Sequence, residues 1–127
     1  SLSLPPVPVI AVVDDDPAIR EAMDDLIMSF GYECRLFASA EHFLESQQQA
    51  GIDCIVVDVK MPGLSGIELQ SELNRRGSHP PMIFVTSYED ERTRNAALSG
   101  GALAFLRKPV NIGNLIGCLE SVLGERP

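Results

Sequence analysis

The chain has 127 residues, of which 45% are hydrophobic, which suits one compact core and leaves no room for a second domain. Eighteen acidic residues against ten basic ones give a formal net charge of −8, which argues against direct nucleic-acid binding by this segment. No apolar run is long enough to cross a bilayer and no signal peptide is evident, so we expect a cytoplasmic protein without a membrane partner.

The cysteines and the chain ends indicate the redox state and the limits of the domain. The chain has three cysteines, Cys34, Cys54 and Cys118. They lie in apolar segments without Cys-x-x-Cys spacing, which predicts reduced core thiols instead of disulfides or a zinc site. Residues 1–8 contain three prolines and are predicted to be a tail or a tag remnant. Residues 9–124 are predicted to form the domain, and residues 125–127 a tail or the start of a linker.

The first predicted strand, Val9–Val13, is a continuous apolar run typical of a strand covered on both faces. Three aspartates follow it. Asp16 fits the N-cap and Pro17 the first position of a helix. Asp14 and Asp15 are two more acids than a helix cap needs, which favours a metal-binding role for them.

The second and third strands differ in their apolar character. Residues 32–37 are less uniformly apolar, which predicts a strand nearer an edge of the sheet. Ser39 fits the cap of a short second helix that fades into a glutamine run. The third predicted strand, Cys54–Asp58, is apolar up to its last residue, where Asp58 precedes a turn containing Pro62. A carboxylate at the rim of a hydrophobic sheet is costly unless a cation or hydrogen bonds meet it.

The third helix and the fourth strand are marked by polar residues at their ends. Ser65 and Glu68 have the spacing of a capping box, which predicts a helix that ends near Gly77. Residues 82–85 are a further buried-strand run, and Thr86 stands at its end.

The last part of the chain predicts two helices and one strand. Residues 89–99 have few apolar positions, so we expect the least firmly packed helix there. Residues 102–106 are predicted to be the last strand, closed by Lys108 and a proline. Residues 112–123 repeat apolar positions at helical spacing, although Gly117 and a second glycine weaken this helix.

Strands that alternate with helices predict an α/β fold, a flavodoxin-like, doubly wound (βα)5 arrangement with a parallel sheet. In the strand order 2-1-3-4-5, the carboxyl ends of the strands meet at one edge, where such sheets bind ligands. Four strands deliver polar side chains to this edge: Asp14 and Asp15, Asp58, Thr86, and Lys108.

These side chains suggest phosphoryl-transfer chemistry. Neighbouring carboxylates repel one another unless a proton or a cation lies between them. An oxygen-only cluster favours a hard divalent ion, Mg²⁺ in the first place and Mn²⁺ as the alternative. Asp58 is the candidate nucleophile, because a metal and Lys108 would neutralise the transferring oxygens. Thr86 would offer its hydroxyl to a phosphoryl oxygen.

With these residues at its strand ends, the chain resembles a CheY-like receiver domain of a bacterial two-component response regulator. The resemblance covers residues 9–123. It is carried by Val12-Val13-Asp14-Asp15-Asp16, by Val57-Asp58 with Met61-Pro62-Gly63 and Gly66, by Val85-Thr86-Ser87, and by Phe105 with Lys108-Pro109. Within the family, the local sequence is most similar to the FixJ-type subgroup, at Asp16-Pro17, Met61-Pro62-Gly63-Leu64-Ser65-Gly66 and Leu106-Arg107-Lys108-Pro109.

The resemblance implies a site and its partners. Asp14, Asp15 and Asp58 would hold Mg²⁺, and the main-chain carbonyl of Lys60 would complete the metal shell. Asp58 would accept phosphate from a sensor histidine kinase. The phosphorylated protein would control an output domain or partner protein, with a transcriptional output expected and a homodimer formed on phosphorylation as a further expectation.

The resemblance also implies a switch. Thr86 and Phe105 would form the switch pair, with the hydroxyl drawn toward the phosphoryl group as the ring turns inward. Lys108 and the proline after it would be joined by a cis peptide bond. Lys60 and Tyr88 occupy positions that vary within the family and set how long the phosphate lasts.

Two other classes of function compete with this hypothesis. A Mg²⁺-dependent phosphohydrolase of the haloacid dehalogenase type would carry a second Asp where this chain has Lys60. An interaction module that never takes phosphate has no need of the complete set of acids, hydroxyl and lysine. A P-loop is excluded because the Walker motif is absent. We therefore expect a phosphoacceptor that catalyses its own phosphotransfer and dephosphorylation, and not a multiple-turnover enzyme.

Overall fold

The computed structural model describes residues 6–87 and 90–124, apart from the side chain of Gln48. It contains five strands: β1 (Val9–Val13), β2 (Glu33–Phe37), β3 (Cys54–Asp58), β4 (Met82–Thr86) and β5 (Ala104–Arg107). It contains five α-helices: α1 (Pro17–Ser29), α2 (Ala40–Glu45), α3 (Gly66–Arg76), α4 (Glu91–Ser99) and α5 (Ile112–Leu123). A 3-10 turn over Gln47–Gln49 follows α2.

The strands form one parallel sheet in the order β2-β1-β3-β4-β5. This order confirms the predicted flavodoxin-like (βα)5 fold, and it places β2 at an edge, as its mixed composition predicts. Every residue of β1, β3 and β4 is buried, as expected of central strands covered on both faces.

The core consists of two apolar layers, one on each face of the sheet. Alternate residues of the central strands point to opposite faces, because successive side chains in a strand do so. On one face Val13, Val57 and Phe84 pack with α2, α3 and α4. On the other face Val12 and Val56 pack with α1 and α5. The two layers hold the sheet rigidly between helices and fix the strand ends that carry polar residues.

The predicted helix caps are confirmed. Asp16 caps α1 through a hydrogen bond from the Ala18 amide at 2.9 Å, with a proline at the first helical position. Ser65 and Glu68 form a reciprocal capping box at the start of α3. Helix α4 buries one residue, Ala97, in agreement with the expectation that it packs least firmly.

Some predicted boundaries are wrong by one or two residues. The last strand begins at Ala104 and not at residue 102, because the Ala102 amide still donates to the carbonyl of Ala97 in the turn that ends α4. Strand β2 begins one residue later than predicted, at Glu33. Helix α4 begins at Glu91 behind an Asp90 cap, and the predicted start at residue 89 lies outside the described residues.

All three cysteines are free, as predicted. None of the helices in the described part of the chain has the length and apolar character needed to span a membrane. Residues 1–5 and 125–127, which the sequence assigns to tails, lie outside the described residues, and so does Tyr88.

Candidate functional site

Two acidic strand ends lie side by side because of the register of the sheet. Val13 of β1 pairs with Val57 of β3, so the residues that follow them, Asp14 and Asp58, leave the sheet at neighbouring positions. Asp58 also pairs with the β4 residue that precedes Thr86. The register therefore brings two carboxylates and a hydroxyl together at the carboxyl edge, as the sequence predicts.

The ammonium group of Lys108 joins the two carboxylates. Its Nζ donates hydrogen bonds to Oδ2 of Asp14 at 2.9 Å and to Oδ2 of Asp58 at 3.0 Å. Asp14 is 2% exposed and Asp58 is 8% exposed, so both acids are withdrawn from bulk water. The Lys108 amide donates to the Thr86 carbonyl at 2.7 Å, and a cis peptide bond joins Lys108 to Pro109, as the resemblance implies. One cation is therefore shared by two buried anions.

Main-chain groups satisfy the remaining carboxylate oxygens. Oδ1 of Asp14 accepts a hydrogen bond from the Asp16 amide at 2.9 Å. Oδ1 of Asp58 accepts one from the Lys60 amide at 3.2 Å. Each acid is thus held by one main-chain amide and by one ammonium group, which fixes the direction of both carboxylates.

The electrostatics of the site are dominated by burial. Burial raises the pKa of Asp58 above its ordinary value and outweighs the hydrogen bond and charge of Lys108, which act in the opposite direction. Burial acts to lower the pKa of Lys108, but the hydrogen bonds and charges of Asp14 and Asp58 prevail and raise it. Lys108 therefore stays charged and compensates the two carboxylates that it contacts.

Three acids in the described part of the chain form a group that suits a divalent ion. Oxygens of Asp14, Asp15 and Asp58 lie within 4.8 Å of one another, and Asp15 is exposed to solvent. The donors are carboxylate oxygens without a nearby sulfur or imidazole, which is the donor set that Mg²⁺ and Mn²⁺ prefer. Because Asp15 is exposed, the group of three acids borders solvent on one side.

The structure places the remaining predicted residues close to this group or one strand away. Thr86 is buried at the end of β4, and the main chain of Lys60 contacts Asp58 while its side chain is exposed. Phe105 lies on β5, half-buried, and stacks on Phe84 with ring centroids 6.3 Å apart. The predicted switch residues therefore sit on adjacent strands.

Arg20 also contributes to the site, although the sequence alone does not predict this role. Its Nη1 donates to the main-chain carbonyl of Asp14 at 2.7 Å and so holds the acidic loop from the first turn of α1. In the sequence it is one arginine among the polar positions of an amphipathic helix. Such a position is solvent-exposed by default, and no pattern marks it.

Comparison with known proteins identifies the family of this chain. A family model described as the response regulator receiver domain matches residues 10–120. The chain belongs to this family. Receivers bind Mg²⁺ at an acidic aspartate cluster, and the group formed by Asp14, Asp15 and Asp58 is such a cluster.

The individual similarities agree with this assignment and with the resemblance to the FixJ type. The receiver is 40% identical over 114 residues to the transcriptional regulatory protein FixJ of Azorhizobium caulinodans, covering 90% of this chain and 54% of that protein. The solved structure of the response regulator StyR is similar with a TM-score of 0.85 and 37% identity, over 93% of this chain and 60% of that one. The solved structure of the chemotaxis protein CheY4 of Vibrio cholerae is similar with a TM-score of 0.84 and 27% identity, over 93% of this chain and 100% of that one. The receiver spans about half the length of the curated relatives it matches.

Proposed function

We propose that this receiver accepts a phosphoryl group on Asp58 from a sensor histidine kinase and passes the change to an output domain or partner protein. The observation that carries the proposal is the Lys108 ammonium shared between Asp14 and Asp58, at 2.9 and 3.0 Å, beside the exposed Asp15. Because buried carboxylates are costly, a fold that keeps Asp14 and Asp58 buried together beside a third acid supports a cation-dependent role for the group.

The residues have distinct roles in the transfer. A carboxylate oxygen of Asp58 attacks the phosphorus atom, and the bond from phosphorus to the histidine nitrogen of the kinase breaks as the new P–O bond forms. Lys108 neutralises charge on the transferring oxygens. Asp14, Asp15, Asp58 and the Lys60 carbonyl would hold Mg²⁺, or Mn²⁺ in its place, and the ion would further neutralise the charge on those oxygens.

The switch follows from the same contacts. A phosphoryl group on Asp58 gives Lys108 and the hydroxyl of Thr86 a new anionic partner, and this favours one of two arrangements of the last strands and helices. On the neighbouring strand β5, the ring of Phe105 would turn inward as the Thr86 hydroxyl moves toward the phosphoryl group. A transcriptional output is supported by the similarity to FixJ, whose printed name is that of a transcriptional regulatory protein.

Acetyl phosphate with Mg²⁺ tests the proposal, with Asp58→Asn as the variant and Asp25→Asn as the matched control on the exposed side of α1. Mass spectrometry should find one phosphoryl group on the wild type and on the control, none on Asp58→Asn, and none when a chelator removes the metal. Equal labelling of Asp58→Asn would refute the assignment of the phosphoacceptor.

The same reaction separates the receiver from a phosphohydrolase. We expect phosphate release limited by slow loss from the labelled chain, without rapid multiple turnover. Fast release of many equivalents of phosphate per chain would favour an enzyme instead. Phosphate-independent dimerisation without Mg²⁺ binding would favour a pure interaction module.

A further inference from the structure

The loop between β3 and α3, residues 59–65, is held by a side chain from another part of the fold. Oε2 of Glu41, in α2, accepts a hydrogen bond from the Leu64 amide at 3.1 Å, across 23 positions of the sequence. Gly63 lies against this carboxylate with a φ of 75°, and a Cβ atom at this position would overlap Oε2. The loop therefore passes close to Glu41, and a residue larger than glycine would be strained by the positive φ and would displace the carboxylate.

The same loop builds one wall of the phosphoacceptor site. At its start, the Lys60 amide donates to Oδ1 of Asp58 at 3.2 Å. At its end, the Gly66 amide donates to the Val59 carbonyl at 2.8 Å, and Gly66 packs against the main-chain carbonyl of Asp58. Both ends of the loop are thus fixed around Asp58, while its middle is fixed by Glu41.

Helix α2 is itself fixed in place. Ser39 caps it through a hydrogen bond from the His42 amide at 3.0 Å. Phe43, which is 1% exposed, packs edge-on against Phe37 with ring centroids 5.2 Å apart. Glu41 therefore reaches the loop from a rigid support, and its carboxylate can fix the position of the main chain it contacts.

We propose that Glu41 is a positioning residue for the phosphoacceptor site. It holds the middle of the loop so that the main chain of Lys60 keeps its place beside Asp58, where the amide orients the carboxylate and the carbonyl serves the metal. This inference rests on the proposed function. Among the described residues, Glu41 makes no hydrogen bond or ion pair with Asp58 or with the other acids of the site, so it acts through the loop.

The contact with Leu64 needs a hydrogen-bond acceptor, which a neutral side chain can also supply. Oε1 of Glu41 is buried without a hydrogen-bond partner among the described residues. A glutamine at this position can present its amide oxygen to Leu64, although its NH2 group would take the buried position of Oε1 and lower the overall stability. Alanine leaves the Leu64 amide without an acceptor. Glu41→Gln should therefore retain the function, and Glu41→Ala should lose it.

The experiment compares Glu41→Ala and Glu41→Gln with the wild type and with Glu45→Ala, which removes a carboxylate from an exposed position of the same helix. NMR measures hydrogen exchange of the Leu64 amide and the Mg²⁺ dissociation constant from the shifts of the Lys60 amide. In Glu41→Ala we expect faster exchange at Leu64 and Mg²⁺ binding weaker by about tenfold, as for loss of an outer-shell partner. Glu41→Gln and Glu45→Ala should match the wild type.

Several outcomes would overturn the proposal. A merely structural role would lower the urea midpoint but leave the Mg²⁺ dissociation constant of the folded protein unchanged. Protection of the Leu64 amide in Glu41→Ala would show that the loop is held by other contacts. If the wild type binds no Mg²⁺, the proposed function fails, and with it the positioning role, whatever the exchange at Leu64 shows about the contact itself.

If a single variant folds poorly, a double-mutant cycle still tests whether Glu41 and Gly63 are coupled. Gly63→Ala adds a methyl group that overlaps the Glu41 carboxylate, so it should weaken Mg²⁺ binding in the wild type. In the Glu41→Ala background the overlap is gone, and the same substitution should have a smaller effect. Additive effects would show that the two positions are not coupled, and would refute the contact.

Discussion

Replacement of Lys108 by methionine removes the cation shared by the two buried acids and keeps most of the side-chain volume. The Nζ atom lies 2.9 Å from Asp14 and 3.0 Å from Asp58, and the lysine side chain is 13% exposed. Since Asp14 and Asp58 are 2% and 8% exposed, water cannot fully take over the role of the ammonium group. We expect the metal-free protein to lose stability at neutral pH.

The size of the loss follows from the distances. At an effective dielectric constant of about 20, each lysine–carboxylate pair at 3 Å gains about 5 kcal/mol of Coulomb energy. Most of this gain is offset by desolvation of the three groups. Removal of one partner of a buried pair typically costs about 3–5 kcal/mol, because a buried charge is left without compensation. We expect about 3 kcal/mol, the lower end of the range, because the site lies at an open edge of the sheet.

Urea unfolding followed by far-UV circular dichroism, with a chelator present, measures the free energy of unfolding. The matched control is Lys60→Met, which makes the same change of charge at an exposed position and should stay within about 0.5 kcal/mol of the wild type. Equal stability of Lys108→Met and the control at pH 7 would refute the reasoning, because it would show that the acids do not depend on this lysine.

The pH dependence of the loss provides a second check. Burial raises the pKa of Asp58 even with Lys108 present, and without the lysine the pKa rises further. The folded chain then binds the proton of the Asp58 carboxyl more tightly than the unfolded chain does. The stability that this carboxyl contributes is therefore fully present below the unfolded pKa of 3.8 and is lost as the pH rises through the folded pKa. The difference between Lys108→Met and the wild type should therefore grow from acid to neutral pH.

Two further predictions concern the packing and the thiols. Gly66→Ala places a Cβ atom against the main-chain carbonyl of Asp58 and the ring of Phe84, and should cost about 2 kcal/mol in urea unfolding. Gly117→Ala places its new Cβ atom more than 4 Å from every atom other than its chain neighbours and its own helix backbone, so it should instead stabilise helix α5 by about 0.5–1 kcal/mol. The same sign for both variants would contradict the packing argument. Burial raises the pKa of Cys34 and of Cys54 to about 12, so both thiols stay protonated at pH 8.5 and should react with iodoacetamide about a thousandfold more slowly in the native than in the unfolded protein. The stability that these thiols contribute is present below the unfolded pKa of 9.0 and is lost as the pH rises toward 12, and rapid native labelling of Cys54 in peptide maps would contradict the burial.

The central part of the fold could be predicted because its residues are determined by local pattern. The strands β1, β3 and β4 are continuous apolar runs, and all of their residues are buried. Helix starts could be predicted where the cap is a local hydrogen bond, as at Asp16 and Ser65. The start of β5 could not, because Ala102 is apolar and β-compatible but its amide is used by the last turn of α4. The competing hydrogen bond is a tertiary fact that the local sequence does not contain.

The acidic site could be predicted for the opposite reason, because it conflicts with the folding pattern. Asp14, Asp58 and Thr86 interrupt or end apolar runs at places where a buried sheet prefers no polar group. Such conflicts mark functional positions, since a sequence selected for stability alone would avoid them. Given the strand order, the register then brings these polar residues together at one edge of the sheet.

The supporting residues agree with local expectation, and so the sequence does not distinguish them from ordinary surface positions. Arg20 and Glu41 lie on helices where charged side chains are common. Arg20 nevertheless contacts the main chain of Asp14, and Glu41 contacts the loop that follows Asp58. Glu41 meets Leu64 across 23 positions, and no periodicity of either segment encodes that distance. A residue that violates its local pattern can be found from one sequence, whereas a residue that fulfils the pattern and also positions a loop can be found only from the folded chain. The acids at the strand ends are of the first kind, and the side chains that hold their loops are of the second.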